Sequence, residues 1–573
     1  MPIGSHYLLD ALVKEGLTHL FLVPGGLIDP FLPALAAFPQ LKPIVAAQEG
    51  GAAYMADGYA RAGGNFGAAL CIGGPGLGNM TAAMAAALTD GSRVLIVSGE
   101  VATAMEGLGA FQDASAATLD DPVLAKPVTR FSTSVDNAAN LNHLFRRAMS
   151  EMLGPPAGPV HLSLPHDVIV GEVDAEHAAI ECELFRAGLL DRARASQVVD
   201  LISGSVNGAP LRRVAFLAGA GVEHADAADA LRSVAERFAI PVATTLRAKG
   251  VFPEDHSLSL GVFGYAGTRH AAGALMSEEL ELLIVLGSGL NERDTMHWSV
   301  RLAPRAGIVG VNLSTRALIE TLRGGLAVPG DVGAFLAFLG EEGAAALGAG
   351  VDARNEWIAA VRAGPRLQDL ENLSSDAVPL HPARVVRALR NALPRDGIVL
   401  VDSGAHRAFA GHYFEAYAPR TYISATNFGP MGWAIPAAVG VACARPGTRV
   451  AVITGDGCMQ MHGIEMAVAA RYRLPITYLV LNNAALGNVW LRAHALGPLP
   501  AELTSIPDHD WAVFGRALGL AAETVREPGE IEPALARCLA VDGPALVDYK
   551  TERNAPTPVE DFAAEAAHWS YHA

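Results

Sequence analysis

Basic residues are scarce in this chain, and they form no runs. Lys and Arg together number 42 against 59 Asp and Glu, which gives a formal net charge of −17. A protein with this balance is a poor match for the phosphate backbone of a nucleic acid, so we expect no nucleic-acid partner. Any phosphate that the protein binds must therefore be held locally, by a metal ion or by backbone amides.

Other signatures are missing as well. The five cysteines form no CxxC pair and no cluster with histidine, which argues against a disulfide framework and a zinc site. No apolar run of about 18 residues occurs, and the first residues, MPIGSHYLLDALVKEG, have the pattern of an amphipathic helix rather than a signal peptide. We therefore expect a cytoplasmic protein with no membrane partner. The phosphate-binding pattern GxxxxGKS/T is also absent.

Short apolar segments alternate with amphipathic helical segments along the whole chain of 573 residues. This alternation is typical of α/β folds with parallel sheets, and the length suggests roughly three domains. Polar or Ala/Gly-rich stretches separate three blocks. We predict an α/β fold with three doubly wound parallel-sheet domains, at residues 1–170, 190–345 and 375–553, followed by a tail at 554–573.

The most informative stretch runs from Gly455 to Gly487, GDGCMQMHGIEMAVAARYRLPITYLVLNNAALG. The apolar runs RVAVITG and LPITYLVL are typical of buried parallel strands joined by a helix. Asp456 and Asn483 then follow the carboxyl ends of the two strands, where open α/β sheets bind ligands. Carboxylate and amide oxygens suit Mg²⁺, and a diphosphate bridged by that metal suits an acidic protein. The alternative from residue types alone is a pair of ordinary turns.

The spacing of this stretch resembles the signature of thiamine diphosphate (ThDP)-dependent enzymes of the acetolactate synthase type. It has the Gly-Asp-Gly start, 27 positions from Asp456 to Asn483, and the Asn-Asn end. The resemblance implies that Asp456, Asn483 and the main-chain oxygen of Ala485 ligate Mg²⁺, which in turn holds the cofactor diphosphate. It also implies pyrimidine-binding, central and diphosphate-binding domains in that order. In this family the site is formed between subunits. The resemblance therefore implies at least a homodimer, and more specifically a homotetramer.

A second signal lies in KPIVAAQEGGAAYMADGYARAGG, where Glu49 stands at the junction of a strand and a helix. Taken alone, it is an acid at a helix N-terminus, which is a common stabilising arrangement. In the family that the chain resembles, a glutamate at this place hydrogen-bonds the pyrimidine ring of ThDP and promotes formation of the reactive carbanion. We therefore predict Glu49 as a catalytic residue.

Four other segments match family positions, and the resemblance extends over nearly the whole chain in the right domain order: FLVPGGLIDPF, GGPGLGN, VDSGAHRAF and NFGPMGWAIPAAVG. No single motif carries the match, and several of these residues would be unremarked on their own. The resemblance implies the following cofactor-binding residues: Pro24, Gly25, Glu49, Gly76, Asn79, Gly404, Ala405, His406, Gly429, Met431, Gly455, Asp456, Gly457, Cys458, Asn483, Ala485, Leu486 and Gly487.

The expected reaction is carboligation of 2-oxo acids or other small carbonyl substrates. GAFQDAS places Phe111 and Gln112 where acetolactate synthase-like enzymes carry a Phe-Gln pair, and we predict both as catalytic. No histidine occurs between His19 and His143, whereas enzymes similar to pyruvate decarboxylase have a His-His pair in this region. The missing pair disfavours release of a free aldehyde by that route and favours transfer to a second carbonyl compound.

Three positions depart from acetolactate synthases and are predicted to face the substrate pocket. Arg130 stands in place of a lysine, Trp490 at a usual arginine position, and Arg492 at a usual tryptophan position. Guanidinium groups there could pair with the carboxylate of an acidic substrate, although Arg492 could equally be a solvated helix residue. The donor and the acceptor therefore stay open.

The middle block is similar to flavin-binding relatives around Lys249, Gly264 and Arg293. However, Asn312 stands where an acid would bind a ribose hydroxyl in a dinucleotide site. FAD is therefore an open possibility and not an expectation. Three alternatives to carboligation remain: a ThDP-dependent lyase or decarboxylase that does not ligate, a flavin-dependent oxidase of the same build, and a non-catalytic relative.

Overall fold

The computed structural model describes residues 1–181, 185, 188–205, 208–321 and 325–559 of the chain. Three six-stranded sheets follow one another along the chain, and every strand pair in them is parallel. The predicted α/β fold with three parallel sheets flanked by helices is confirmed. In the described part of the chain, no helix is both long and apolar enough to cross a membrane.

The first sheet has the strand order β2-β1-β3-β4-β6-β5. Its strands are β1 (His19–Leu22), β2 (Lys42–Val45), β3 (Gly67–Ile72), β4 (Val94–Glu100), β5 (Phe131–Ser134) and β6 (Val160–Pro165). The helices of this part are α1 (Gly4–Lys14), α2 (Phe31–Ala34), α3 (Glu49–Arg61), α4 (Pro75–Asp90), α5 (Asp121–Ala125), α6 (Leu141–Leu153) and α7 (His166–Val170).

The second sheet has the order β12-β11-β10-β7-β8-β9, which is that of dinucleotide-binding folds. Its strands are β7 (Val214–Ala218), β8 (Val242–Thr244), β9 (Ser259–Val262), β10 (Leu282–Leu286), β11 (Ile308–Asn312) and β12 (Leu326–Pro329). The helices are α8 (Arg192–Ser203), α9 (Ala220–His224), α10 (Ala228–Phe238), α11 (Arg269–Leu275), α12 (Thr315–Thr321), α13 (Val332–Glu342), α14 (Ala344–Gly348) and α15 (Val351–Arg362).

The third sheet, ordered β14-β13-β15-β16-β18-β17, repeats the topology of the first. Its strands are β13 (Ile398–Val401), β14 (Tyr422–Ile423), β15 (Val450–Gly455), β16 (Ile476–Asn482), β17 (Ala521–Val525) and β18 (Ala545–Lys550). The helices are α16 (Pro382–Ala392), α17 (Ala405–Tyr413), α18 (Ala434–Ala444), α19 (Asp456–His462), α20 (Met466–Arg471), α21 (Gly487–Leu496), α22 (Trp511–Ala517) and α23 (Ile531–Leu539). The predicted tail from 554 is described only as far as residue 559.

The first and third sheets share one hydrophobic core, joined by the helix pair α3 and α18. These helices contact each other backbone to backbone. A side chain on Gly58 would collide with the carbonyl oxygen of Ala437, and one on Gly440 with that of Met55. Glycine therefore sets the close approach, and the two sheets are held together within one chain.

The helix predicted between the runs RVAVITG and LPITYLVL is split into α19, a 3₁₀ turn at Gly463–Glu465, and α20. The turn places Glu465 against the first part of the chain. Its carboxylate accepts hydrogen bonds from the backbone N–H groups of Ala47, at 3.1 Å, and Gln48, at 3.0 Å. These two residues lead into α3, so this contact, which spans some 400 residues of sequence, could not be read from local periodicity.

Candidate active site

Two strand ends meet at the carboxyl edge of the third sheet. β15 and β16 pair in parallel up to Gly455 opposite Leu481. Asp456 then begins α19 and Asn483 follows β16. The N–H of Ala485 faces both side chains, because it lies 3.1 Å from Asp456 Oδ2 and 3.2 Å from Asn483 Oδ1. The two predicted metal ligands are therefore neighbours, as the strand pattern indicated.

The oxygen atoms around this turn suit a hard cation. Asp456 is only 3% exposed, and no ion pair to it occurs among the described residues. Burial raises the pKa of Asp456 to about 6, although backbone N–H groups that include those of Gly457 and Ala485 oppose the rise. A bound Mg²⁺ would supply the missing counter-charge. Within the described chain, no cluster of three or more His, Cys, Asp or Glu is arranged to hold a metal. A metal here would thus use mixed oxygen ligands.

A cavity of about 250 Å³ opens beside these ligands. It is lined by every residue that was predicted for the diphosphate side of the cofactor and by Arg492. The predicted lining residues are Gly404, Ala405, His406, Gly429, Met431, Gly455, Asp456, Gly457, Cys458, Asn483, Ala485, Leu486 and Gly487.

Glycines keep this cavity open. A Cβ on Gly457 would lie 2.9 Å from Leu486 Cδ2 and 2.9 Å from Met431 Cε, and one on Gly455 would lie 2.9 Å from His406 Nδ1. Side chains larger than hydrogen would therefore fill the space.

His406 supplies a polar atom that has no partner. Its ring is buried, and burial lowers the pKa of His406 to about 3, so the imidazole is neutral near pH 7. The Nε2 atom is buried without a hydrogen-bond partner among the described residues. In the tautomer that carries its proton on Nε2, the neutral ring could donate to a phosphate oxygen in the cavity that His406 lines. A diphosphate therefore fits the residues that are present.

The residues predicted for the pyrimidine side lie at the carboxyl edge of the first sheet. Glu49 begins α3, and its Oε2 accepts a 2.9 Å hydrogen bond from Asn79 Nδ2. The preceding Gln48 caps the helix, with its Oε1 accepting from the N–H of Gly51. Three further predicted residues follow the ends of β1 and β3 at the same edge: Pro24, Gly25 and Gly76.

Within the described part of the chain, the cavity beside Asp456 contains none of the pyrimidine-side residues. All residues that line the cavity beside Asp456 lie between 382 and 555, so Glu49 and Asn79 are not among them. Asn79 is exposed, and Phe111 is 86% exposed. Gln112 lies next to it with a positive φ of 61°, which is unusual for a residue with a side chain. The pyrimidine side is thus an open surface of the chain.

The three predicted substrate-pocket residues are dispersed. Arg492 lines the cavity, whereas Trp490 does not, because its ring lies under the Arg553 guanidinium at 4.8 Å. Arg130 precedes β5 and therefore lies at the amino edge of the first sheet, opposite Glu49. The structure does not bring Arg130 to either group of predicted cofactor residues.

Several lining residues were missed from the sequence. Ser403 and Arg407 lie inside the segment VDSGAHRAF, so that motif could have revealed them. Thr551, Glu552 and Arg553 follow β18 and carry no motif. Only the pairing of β18 with β16 brings them to the cavity.

Family models for thiamine pyrophosphate enzymes match three stretches of the chain. These are the N-terminal TPP binding domain at residues 3–119, the central domain at 198–339 and the C-terminal TPP binding domain at 402–549. A "Probable acetolactate synthase large subunit" from Methanocaldococcus jannaschii is 30% identical over 564 residues, which is 95% of this chain and 91% of that protein. The chain belongs to the thiamine pyrophosphate enzyme family.

Other relatives of this thiamine pyrophosphate enzyme agree with that assignment. Glyoxylate carboligase from Escherichia coli O157:H7 is 31% identical over 486 residues, covering 84% of this chain and 79% of the relative. A solved structure from Mycobacterium smegmatis, assigned to the thiamin diphosphate-dependent enzymes, superposes with a TM-score of 0.78 at 24% identity. It covers 96% of this chain and 99% of its own, and at that identity it supports the fold alone.

This family member also has a larger cavity, of about 890 Å³, where the three parts of the chain meet. Of the residues considered for flavin contact, Arg293 and Asn312 line it, whereas Lys249 and Gly264 do not. Lys249 is buried and paired with Glu254 at 2.6 Å. Five buried polar atoms of the lining have no hydrogen-bond partner in the described chain: Arg61 Nη2, Ser92 Oγ, Arg293 Nη1, Arg407 Nε and Tyr422 Oη.

Proposed function

We propose that this protein is a ThDP- and Mg²⁺-dependent carboligase. It would decarboxylate or cleave a 2-oxo acid donor and transfer the acyl unit to a carbonyl acceptor. The observation that carries the proposal is the convergence of Asp456, Asn483 and the Ala485 turn on a cavity lined by glycines. The names of the acetolactate synthase and glyoxylate carboligase relatives support ligation as the outcome.

In this proposal, Asp456, Asn483 and the main-chain oxygen of Ala485 hold Mg²⁺. His406 Nε2 and the backbone beside Gly455 and Gly457 receive the cofactor diphosphate. When bound, ThDP would supply the carbanion chemistry for cleaving the donor and transferring its acyl unit. The protein's own contribution is to hold the cofactor, exclude water and position the proton-transfer group.

Glu49 is the proposed proton-transfer group and bonds the pyrimidine ring. Its hydrogen bond to Asn79 and the cap formed by Gln48 fix its direction at the start of α3. Because the cavity beside Asp456 contains no residue of the first sheet, we infer that Glu49 completes the site of another subunit. A homodimer is the minimum that this requires, and a homotetramer is the state we propose.

The acceptor side of the proposal rests on fewer contacts. Phe111 and Gln112 would close over the reacting carbon from the exposed edge of the first sheet. Arg492, at the cavity wall, would pair with a substrate carboxylate. Trp490 would act only through Arg553, and Arg130 would need a second subunit to reach the site.

FAD is not required by the proposed reaction, because joining two carbonyl compounds with loss of CO₂ is redox-neutral. The unpartnered guanidinium atoms of Arg61, Arg293 and Arg407 in the larger cavity would nevertheless suit an anionic dinucleotide. Asn312 would serve the ribose less well than an acid. The visible absorption spectrum of the purified protein decides whether flavin is bound.

The remaining features follow the sequence-based predictions. We propose domain boundaries at 1–170, 190–345 and 375–553, with the tail at 554–573, and a cytoplasmic location. The domain order agrees with the three matched family models.

Product analysis tests the proposed function. The purified protein is given Mg²⁺, ThDP and one 2-oxo acid, first alone and then with an added aldehyde or second 2-oxo acid, and products are identified by NMR. We expect a ligated hydroxy-ketone product that disappears when ThDP is omitted. Free aldehyde and CO₂ without a ligated product would instead identify a lyase or decarboxylase, and oxygen uptake would identify an oxidase.

A further inference from the structure

One arginine beside the metal-binding turn has no role in metal binding in the proposed function. Arg553 lies after β18 and lines the cavity beside Asp456. Its Nε donates to the carbonyl oxygen of Asn483 at 3.1 Å, and its Nη2 donates to that of Ala484 at 2.9 Å. The guanidinium therefore binds the backbone of the two residues that precede Ala485.

This part of the turn needs support. Ala484 has a φ of +53°, in the left-handed region that residues with a Cβ rarely adopt. Such a conformation persists only when surrounding contacts impose it. Here the N–H of Ile506 and the Arg553 guanidinium both bond the Ala484 carbonyl oxygen, the former at 2.9 Å.

The carbonyl groups along the turn differ in whether they accept a hydrogen bond from the protein. Those of Asn482, Asn483 and Ala484 all accept hydrogen bonds, the first from the N–H of Thr551 at 2.8 Å. None of the hydrogen bonds between described residues uses the carbonyl oxygen of Ala485. The protein thus occupies three successive carbonyls and leaves the fourth for another ligand.

Arg553 extends the pairing of β16 with β18 beyond the end of both strands. The ladder ends at Asn482 opposite Lys550, after which side-chain N–H groups take the place of backbone ones. The same guanidinium lies over the Trp490 ring at 4.8 Å, and Trp490 Nε1 donates to Asn554 at 2.8 Å. The segment after β18 therefore joins the turn to α21.

We propose that Arg553 is a positioning residue for the metal-binding turn. By holding the carbonyls of Asn483 and Ala484, it directs the carbonyl of Ala485 and the side chain of Asn483 toward the metal. The inference rests on the proposed Mg²⁺–ThDP site but assigns a residue outside the ligand set. It requires a planar fork with two donors, which arginine provides and lysine does not.

The test is the affinity for Mg²⁺, measured calorimetrically at fixed ThDP for the full chain and its variants. We expect Arg553→Gln to weaken Mg²⁺ binding by roughly 10- to 100-fold, the usual effect of removing a group that orients a metal ligand. Arg553→Lys should fail to restore the affinity, because its ammonium cannot bond both carbonyls in the guanidinium geometry.

Arg492→Gln is the matched control, because it removes a positive charge from the wall of the same cavity. Among the described residues, the Arg492 side chain makes no hydrogen bond to the turn. This variant should leave Mg²⁺ affinity within about threefold of the wild type. Equal losses in Arg492→Gln and Arg553→Gln, or full affinity in Arg553→Lys, would overturn the positioning role in favour of a plain charge effect.

The outcome also separates this inference from the proposed function. If the wild type binds no Mg²⁺–ThDP, the proposed function fails. If the wild type binds and Arg553→Gln binds equally well, only the role of Arg553 fails. Should Arg553→Gln not fold, as judged by circular dichroism without cofactor, the comparison of Arg553→Lys with Arg492→Gln still decides.

Discussion

The first and third sheets of this chain have the same strand order, yet they present different halves of the candidate site. At the edge of the third sheet, Asp456 is 3% exposed beside a cavity of about 250 Å³. At the corresponding edge of the first sheet, Asn79 is exposed and Phe111 is 86% exposed. One topology thus supplies a preformed pocket in one place and an open surface in the other.

Under the proposed function, the difference follows from what each edge would bind. A metal and a diphosphate need many oxygen and N–H contacts in fixed positions, which the glycine-lined turns around Asp456 provide within one chain. Glu49 would have to reach the pyrimidine ring of ThDP from one direction only. An open surface is adequate for that purpose once a second surface faces it, and this explains why polar and aromatic side chains lie exposed there.

The largest effect is expected from a substitution in the preformed half of the site, which is the cavity beside Asp456. Asp456→Asn removes a charged metal ligand from a buried position, so we expect Mg²⁺-dependent ThDP binding to weaken by at least about 100-fold. Calorimetric titration with ThDP and Mg²⁺ measures the change, and the exposed Asp542→Asn is the control. Near-normal affinity in Asp456→Asn would show that this turn is not the metal site.

A substitution in the open half of the site, which is the surface around Glu49, should lower turnover and leave cofactor affinity nearly unchanged. Glu49→Gln keeps the size of the side chain and its bond to Asn79 but cannot share a proton. We expect turnover to fall by roughly 10²- to 10⁴-fold, while ThDP affinity changes by less than about threefold. Steady-state rates and calorimetry on the same sample separate the two. A fully active variant would exclude Glu49 from catalysis.

A smaller effect concerns the contact that links the halves within one chain. Burial raises the pKa of Glu465 from 4.5 to about 7, assisted by the charge of Glu49 and opposed by the N–H groups of Ala47 and Gln48. Because the folded pKa lies above the unfolded one, the stabilisation is complete below about pH 4.5 and is lost as the pH rises through 7.

Over that range the loss amounts to about 3 kcal/mol. We expect Glu465→Gln to show a smaller fall in melting temperature between pH 5 and 8 than the wild type, with Glu502→Gln, an exposed acid, as the control. If the melting temperatures of the wild type and Glu465→Gln fall by the same amount, the buried carboxyl is not the cause of this pH dependence.

The smallest effect is expected at the substrate end of the cavity. Arg492→Gln should raise the KM for a substrate that carries a carboxylate by up to about tenfold, and should leave the KM for an uncharged aldehyde acceptor unchanged. Parallel rises for both substrates would indicate that Arg492 acts on the cofactor cavity as a whole.

Much of this site could be predicted from the sequence, because strand ends are local features. Asp456 and Asn483 each follow an apolar run, and parallel pairing brings such ends together. The roles of Glu465 and Arg553 could not be predicted, because each side chain bonds the backbone of a segment that is distant in sequence. The separation is 418 residues for Glu465 and Ala47, and 70 residues for Arg553 and Asn483. Arg130 shows that a position along the chain and a position in the fold can differ. It matches a family position along the chain, but it precedes its strand and so lies at the opposite edge.

The central claim is that the two halves come from different subunits, and a mixing experiment tests it most directly. Asp456→Asn and Glu49→Gln chains, each nearly inactive, are co-expressed with different tags, and the mixed oligomers are purified through both. A mixed dimer has one site with both changes and one with neither, so we predict that about half of the wild-type activity returns. If the doubly tagged oligomers stay as inactive as the parents, each site is contained within one chain and the account is wrong.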